Sequence, residues 1–191
     1  MIYNELSELQ DRRRAVRSFD DSGHVMLCGS FSKTIAPGIT LGWADAGRWH
    51  AQVRQLKTAT SGAQTALLEL AMADLLTQPG NESNYRHLRA TIATRVDEAR
   101  QLIASSFPKS TRVTDPPGGY ILWVELPAAM DSQALFEACL AEHILIAPGG
   151  MFSASDRYRN FIRLGVGGLW DDAQRQGLRR VGALAQTLSR T

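Results

Sequence analysis

One long helical repeat constrains the fold of this chain more than any other feature of its sequence. Apolar residues recur at intervals of three and four positions, namely Tyr85, Leu88, Ile92, Val96, Ala99 and Ile103. An α-helix places residues with this spacing on one face, which then packs against a core. The pattern predicts a single long amphipathic helix near the middle of the chain, with folded segments before and after it.

Short segments rich in apolar, β-branched or aromatic residues predict strands on both sides of this helix. Residues 25–28 are typical of a fully buried strand and residues 41–44 of a second one, so that the loop between them carries Lys33. Residues 1–6 are interpreted as the tail of a further strand. After the long helix, the predicted strands are 112–114, 120–126, 144–147 and 161–166.

Four more helices are predicted from helical spacing and from end signals. Two lie before the long helix, at 49–56 and 63–76. Asp131 is expected to cap a helix that runs to about residue 142, and Asp171 or Asp172 to start a final one. Strands and helices alternate after the long helix, which predicts a small α+β domain there.

Composition excludes several classes of protein. The 191 residues are 44% hydrophobic and 21% charged, as in soluble globular proteins. No apolar run approaches the roughly 18 residues of a membrane span, and no signal-peptide pattern is present. We therefore expect a cytoplasmic protein with no membrane partner. A formal charge of +2 does not indicate nucleic-acid binding by this segment. Cys28 and Cys139 are interpreted as reduced core thiols, and neither they nor the histidines have metal-ligand spacing.

Lys33 is the main candidate for chemistry. It ends the run Gly29-Ser30-Phe31-Ser32-Lys33, directly after an apolar segment. A lysine at the end of a buried strand loses hydration, which favours the neutral amine that attacks an aldehyde. The hydroxyls of Ser30 and Ser32 and the nearby backbone N–H groups are suited to a phosphate. The alternative is a surface lysine in a serine-rich turn.

Several motifs, in this order, resemble the C-terminal half of fold-type I pyridoxal 5'-phosphate (PLP) proteins, the aminotransferase superfamily. They are the Lys33 run, Gly118-Gly119-Tyr120 before 122–126, Pro148-Gly149 before Phe152-Ser153, and 160–164. The set is most similar to the aminotransferase-like domain of MocR/GntR transcription regulators. The resemblance implies an α/β fold, the C-terminal part of the aspartate aminotransferase-like fold, with a truncated large-domain sheet and a complete α+β small domain. Its divisions are the end of the large domain (1–78), a connecting helix (79–107) and the small domain (108–191).

The resemblance also assigns roles around PLP. Lys33 is the Schiff-base lysine, and Ser30 and Ser32 lie on the phosphate side of the cofactor. Tyr3 is the phenol that hydrogen-bonds the cofactor, although an ordinary strand aromatic explains it equally well. Thr40 stands where the family usually carries a phosphate-binding arginine, so it can offer only one neutral hydrogen bond. The aspartate that pairs with the cofactor's ring nitrogen falls before Met1.

Arg163 lies in a predicted strand, where an unpaired guanidinium is costly to bury. An anionic ligand resolves that cost, and the resemblance makes Arg163 the residue that binds the α-carboxylate of an amino acid. The alternative is a buried ion pair with an internal carboxylate.

Two functions follow from the resemblance. In the first, the chain is a fragment of an effector domain that senses PLP or an amino acid, and an upstream winged helix binds DNA. In the second, the intact protein is an aminotransferase, for example of the 2-aminoadipate type. A domain that has lost PLP chemistry and serves only in protein interactions is a third possibility. We expect a homodimer at full length and no transaminase activity from this chain alone.

Overall fold

The computed structural model describes residues 4–35 and 38–189 of the chain. Its regular elements are β1 (Leu27–Ser30), β2 (Gly42–Asp45), α1 (His50–Thr60), α2 (Ala66–Thr77), α3 (Asn81–Ser106), β3 (Arg112–Val113), β4 (Ile121–Glu125), α4 (Ser132–Ala141), β5 (Ala147–Pro148), β6 (Phe161–Gly165) and α5 (Asp172–Leu188). They form two units, Met1–Arg89 and Ala90–Thr191. The predicted long helix is confirmed as α3, which lies inside the range predicted for the connecting helix. The three-part domain division stays a prediction.

The first unit contains a two-stranded antiparallel sheet. β1 pairs with β2 from Leu27 opposite Asp45 to Ser30 opposite Gly42, which confirms that two strands flank the loop of Lys33. The prediction of a fully buried strand is wrong, since no residue of β1 is buried. Cys28 is exposed and is therefore not a core thiol. A sheet of only two strands offers little surface against which a strand can be covered.

The start of the chain differs from the prediction. Asn4–Leu6 is a short 3-10 helix, so the strand expected there is wrong for these three residues, and residues 1–3 lie outside the described part. Leu6 is buried at 3% exposure. The first unit's two strands pair with each other and supply no edge partner to this segment among the described residues.

The second unit is a four-stranded antiparallel sheet with helices. The strand order is β3-β4-β6-β5. Alternation along the strands buries one face of the sheet, including Leu122, Val124 and Ile162, each with no exposed surface. Leu135 of α4 and Val181 of α5 are buried in the same unit. This core agrees with the small α+β domain that the sequence predicted.

The predicted caps of the last two helices are confirmed. Asp131 accepts a hydrogen bond from the backbone N–H of Gln133 at the start of α4. Asp171 and Gln174 form a reciprocal capping box at the start of α5. Both satisfy N–H groups that the helix itself leaves unpaired, so the two helices begin where their sequences indicate.

The strand predicted at 144–147 is mostly wrong, because β5 contains only Ala147 and Pro148. The preceding residues close the end of α4. The backbone N–H of Ile144 donates to the carbonyl of Cys139 at 2.9 Å, and that of His143 donates to Leu140 at 3.0 Å. His143 has φ 60, the left-handed conformation that this helix-ending motif requires. The helix end therefore takes up residues that the apolar pattern assigned to a strand.

None of the described helices is both long enough and apolar enough to cross a bilayer.

Candidate functional site

The loop between β1 and β2 positions Lys33. The N–H of Phe31 donates to the carbonyl of Leu41 at 3.0 Å, and the N–H of Ile35 donates to that of Phe31 at 3.0 Å, so the loop opens with a helical turn. Lys33 lies in this turn with an exposed side chain. The expectation of a dehydrated amine is therefore wrong for this chain. Among the described residues, its ammonium has no hydrogen bond or ion pair.

The structure brings Ser30 and Ser32 together. The hydroxyl of Ser30 donates to that of Ser32 at 3.2 Å and accepts from the backbone N–H of Ser32 at 3.3 Å. The hydroxyl of Ser32 donates to the carbonyl of Ile39 at 2.5 Å, which closes the loop. The proton of Ser30 thus goes only to another hydroxyl and can be redirected to a ligand at small cost. Ser32 is committed to the loop, so Ser30 is the better phosphate donor of the two.

The structure says less about Thr40 and Tyr3, the other two candidate cofactor contacts of this unit. Thr40 is exposed and makes no hydrogen bond with the described residues. Its neighbour Ile39 accepts the hydrogen bond from Ser32, and Leu41 accepts the one from Phe31, so the backbone on both sides of Thr40 is held. Tyr3 lies outside the described residues.

Tyr85 is a residue near this loop that the sequence pattern presented only as part of an apolar helix face. Together with Ser30, Thr34 and Trp43, it lines a cavity of about 120 Å³ in the first unit. Burial raises the pKa of the Tyr85 phenol above its ordinary value, although a hydrogen bond with Thr34 partly opposes this. Tyr85 is therefore a neutral hydroxyl beside one of the two serines.

Arg163 lies in β6 of the second unit, opposite Trp123 of β4 and Ala147 of β5. Its guanidinium carbon is 4.7 Å from the ring centroid of Phe152. Trp123 meets that ring edge to face at 5.5 Å and stacks on Phe161 at 5.5 Å. The side chain of Arg163 is exposed, so the predicted cost of burial and the alternative of a buried ion pair are both wrong. Among the described residues, this cation has no carboxylate partner.

An open groove of about 740 Å³ runs along Arg163 within the second unit. One side is formed by residues 144–147 and the other by residues 163–166, where the expected strand pairing does not continue beyond Ala147. Met151 and Trp170 add further apolar wall. The groove exists because the segment after α4 closes that helix and does not extend the sheet.

A cluster around Glu98 of α3 holds one wall of this groove. One carboxylate oxygen accepts from Nε of Arg175 at 2.5 Å, and the other accepts from the indole N–H of Trp170 at 2.6 Å. Arg95 donates to the carbonyl of Gly168 at 2.7 Å, so α3 holds the loop between β6 and α5 at two points. The hydrogen bonds from Arg175 and then Trp170 lower the pKa of Glu98. Glu98 lies on the polar face of the helical pattern, where the sequence indicates only a solvated charge.

The family model for aminotransferase class I and II matches residues 1–181. Among curated proteins, the HTH-type transcriptional regulator YdcR of Escherichia coli K12 is 30% identical over 185 residues, which are 97% of this chain and 40% of the regulator. A second regulator from the same organism, YjiR, is 32% identical over 181 residues, 95% of this chain and 38% of the regulator. The chain thus spans about two fifths of the length of these relatives.

Among solved structures, LysN, an α-aminoadipate aminotransferase of Thermus thermophilus in complex with N-(5'-phosphopyridoxyl)-L-leucine, has a TM-score of 0.88 at 26% identity. The similarity covers 100% of this chain and 50% of LysN. The predicted fold class is confirmed, and so is the resemblance to regulators with an aminotransferase-like domain. The match of the family model over nearly the whole sequence shows that this chain belongs to the aminotransferase class I and II family.

Proposed function

We propose that this chain is the C-terminal part of a PLP-binding, aminotransferase-like effector domain in a GntR/MocR-type transcriptional regulator. The observation that carries the proposal is the similarity of 97% and 95% of the chain to two HTH-type regulators, at 30% and 32% identity. DNA binding belongs, in this proposal, to a winged helix outside the present sequence. The protein acts in the cytoplasm and forms a homodimer at full length.

The residues of the Lys33 loop fit PLP by their chemistry. An aldehyde needs an amine, and the amine of Lys33 has no competing partner among the described residues. A phosphate needs donors, and the hydroxyl of Ser30 has a proton that it can redirect from Ser32. When bound, PLP supplies an electron-withdrawing ring that weakens the bonds at the α-carbon of an amino acid. Lys33 would hold the cofactor at its aldehyde carbon and could carry a proton, while Ser30 would hold a phosphate oxygen.

Ser32, Thr40 and Tyr3 have supporting roles in the proposal. Ser32 keeps the loop closed through its hydrogen bond to the carbonyl of Ile39 and, in this proposal, lies on the phosphate side of the cofactor. Thr40 contributes one neutral hydrogen bond where an arginine would contribute a charged fork, so phosphate affinity is lower than with arginine. Tyr3 would hydrogen-bond the cofactor through its phenol hydroxyl.

Arg163 binds the carboxylate of an amino-acid substrate or effector. Its exposed guanidinium is free of carboxylates within the described chain, and the ring of Phe152 lies 4.7 Å below it. The aromatic ring restricts the orientation of the guanidinium and leaves its positive charge unneutralised. A planar, oriented fork of N–H groups is thereby available for two parallel hydrogen bonds to a carboxylate.

Labelling with PLP tests the proposal. The folded chain is incubated with a limiting amount of PLP, reduced with borohydride and digested, and the modified lysines are identified by mass spectrometry. We expect the adduct at Lys33 and its disappearance in Lys33→Ala, whereas Lys57→Ala, at an exposed lysine of α1, keeps it. Equal labelling of Lys33 and Lys57 would show that the loop does not select PLP.

A second function is a true aminotransferase of the 2-aminoadipate type. The similarity to LysN over the full chain, at 26% identity, favours it. The two functions differ in the longer protein. A regulator binds DNA fragments from its own promoter region in a gel-shift assay and has low transaminase activity. An aminotransferase turns over 2-aminoadipate and shifts no DNA fragment.

A further inference from the structure

The helical turn that carries Lys33 is held mainly by bonds within its own loop. The N–H groups of Thr34 and Ile35 both donate to the carbonyl of Phe31, at 3.3 and 3.0 Å. The other backbone bonds described for this turn, and those of its serine hydroxyl, also end within residues 30–41. These bonds give the turn its shape, but they do not fix its position against the helices of the unit.

Thr34 is the point at which the turn meets α3. It is the one residue of 31–35 whose side chain is buried, at 8% exposure, although it is polar. A buried hydroxyl needs a hydrogen-bond partner, and that of Thr34 is the phenol of Tyr85. Among the described residues, this is the only hydrogen bond that joins the turn to an element outside the β1–β2 hairpin. It is made by the residue that follows Lys33 in the sequence.

The part of α3 around Tyr85 is supported independently of the loop. Arg89, one helical turn further along, is 5% exposed and donates to the carbonyl of Glu5 at 3.1 Å. The side-chain amide of Asn81, at the start of the helix, donates to the carbonyl of Leu75 at 2.8 Å. Tyr85 therefore extends from a helix whose own position is fixed on both sides of it.

Two cavities adjoin the hydrogen bond between Thr34 and Tyr85. Both residues line the cavity of about 120 Å³ that includes Ser30, and both line an open pocket of about 330 Å³ that includes Ile35 and Leu75. A side chain that borders a cavity makes few contacts on that side. The position of the turn therefore depends more on this one hydrogen bond than it would in a close-packed core.

We propose that Tyr85 is a positioning residue for Lys33, because its hydrogen bond with Thr34 fixes the turn against α3 and so fixes the amine relative to the hydroxyl of Ser30. The consequence for PLP rests on the function proposed above, whereas the effect on the turn does not. An amine and a phosphate donor reinforce each other on one ligand only while their separation is kept.

Hydrogen exchange tests the hold on the turn without PLP. The amides of Thr34 and Ile35, which donate to Phe31, are followed by NMR in the 191-residue chain. Tyr85→Phe removes only the hydroxyl, and we expect both amides to exchange about two- to tenfold faster, the range that one neutral hydrogen bond supplies. Tyr158→Phe, the same substitution in the second unit, should leave both exchange rates unchanged.

Labelling with limiting PLP and borohydride tests the consequence for the amine. The exposed Lys57 serves as a reference within the same chain. We expect Tyr85→Phe to lower the ratio of adduct at Lys33 to adduct at Lys57 by about two- to tenfold, again the range of one neutral hydrogen bond. Dispersed amide signals in the NMR spectrum of the variant show that the fold is intact.

Two substitutions of Thr34 separate hydrogen bonding from packing. Thr34→Val keeps the shape of the side chain and removes the hydroxyl, so it should lower the labelling ratio as much as Tyr85→Phe does. Thr34→Ser loses a methyl group and keeps the hydroxyl, so it should preserve the ratio. A residue that only fills space would give the opposite order. The double variant Tyr85→Phe, Thr34→Val should lower the ratio no further than either change alone.

The proposal is wrong if Tyr85→Phe leaves the exchange of the turn unchanged, or if Thr34→Ser lowers the labelling ratio as much as Thr34→Val. Faster exchange in Tyr85→Phe, with equal labelling of Lys33 and Lys57 in the unaltered chain, would support the hold of Tyr85 on the turn and contradict the cofactor proposal. Labelling that selects Lys33 equally well with and without the Tyr85 hydroxyl would do the reverse.

Discussion

Two glycines of α5 should respond in opposite ways to the same substitution. In a helix, alanine is favoured over glycine by about 1 kcal/mol, since glycine loses more backbone freedom on folding. Gly177 has open space where a Cβ would lie, so Gly177→Ala should stabilise the second unit by about 0.5 to 1 kcal/mol. At Gly182, a Cβ would lie 2.5 Å from the carbonyl oxygen of Ser106 and 2.7 Å from the ring of Phe107.

The clash at Gly182 cannot be relieved by rotating one flexible side chain. Its nearest atom belongs to the backbone at the end of α3, and Gln186 donates a hydrogen bond of 2.9 Å to the same carbonyl of Ser106. Overpacking of this kind costs about 1 to 3 kcal/mol. Because the gain in helix propensity is common to both variants, their difference in unfolding free energy measures the clash. We expect Gly182→Ala to be less stable than Gly177→Ala by about 1 to 3 kcal/mol.

Urea unfolding measures this difference when it is followed through the ¹⁹F NMR signal of fluorotryptophan incorporated at Trp170. The probe lies in the same unit as both glycines, which matters because the chain contains two units that need not unfold together. Equal stabilisation by the two substitutions would refute the reasoning, since it would mean that α5 does not approach the end of α3 as closely as described.

Three further outcomes are expected. The hydrogen bond from Arg175 lowers the pKa of Glu98 in the folded chain. The stabilisation that ionised Glu98 contributes is therefore fully present above its unfolded pKa of about 4.3 and is lost as the pH falls through its folded pKa. Glu98→Gln should remove this acid dependence of the unfolding free energy when unfolding is measured as a function of pH. Burial raises the pKa of the Cys139 thiol to about 11, so iodoacetamide should modify the exposed Cys28 and leave Cys139 intact, as peptide mass spectrometry would show. Leu135→Ala, at a side chain with no exposed surface, should destabilise the second unit by about 2 to 5 kcal/mol in urea unfolding, and a change below about 1 kcal/mol would contradict its place in the core.

Local patterns predict the regular elements well where a single rule operates. The three-and-four spacing from Tyr85 to Ile103 requires a helix whatever surrounds it, and the structure has α3 there. Asp131 and Asp171 cap the helices that follow them, because a cap depends on residues only two or three positions away. The apolar run before Ala147 predicts a strand but closes a helix, because an apolar run alone does not distinguish the two.

Exposure cannot be predicted in the same way. Cys28 and Arg163 both lie in apolar runs, and both side chains are exposed. Whether a strand is covered depends on its neighbours in space, which local sequence does not specify. The role of Glu98 is hidden for the same reason: its partner Arg175 is 77 positions away, and a glutamate on the polar face of a helix is usually solvated.

The sequence by itself determined the family of this protein, the long helix and the helix caps, because these depend on residue type and on short spacings. It also predicts the residues that bind PLP and a carboxylate. The tertiary structure decided which serine has a proton to give, that Arg163 is exposed above Phe152 without a counter-ion among the described residues, and that a mainly apolar groove opens beside it. Those features depend on contacts between residues far apart in the chain. Selectivity for a ligand arises from such contacts, whereas ancestry is visible in the motifs.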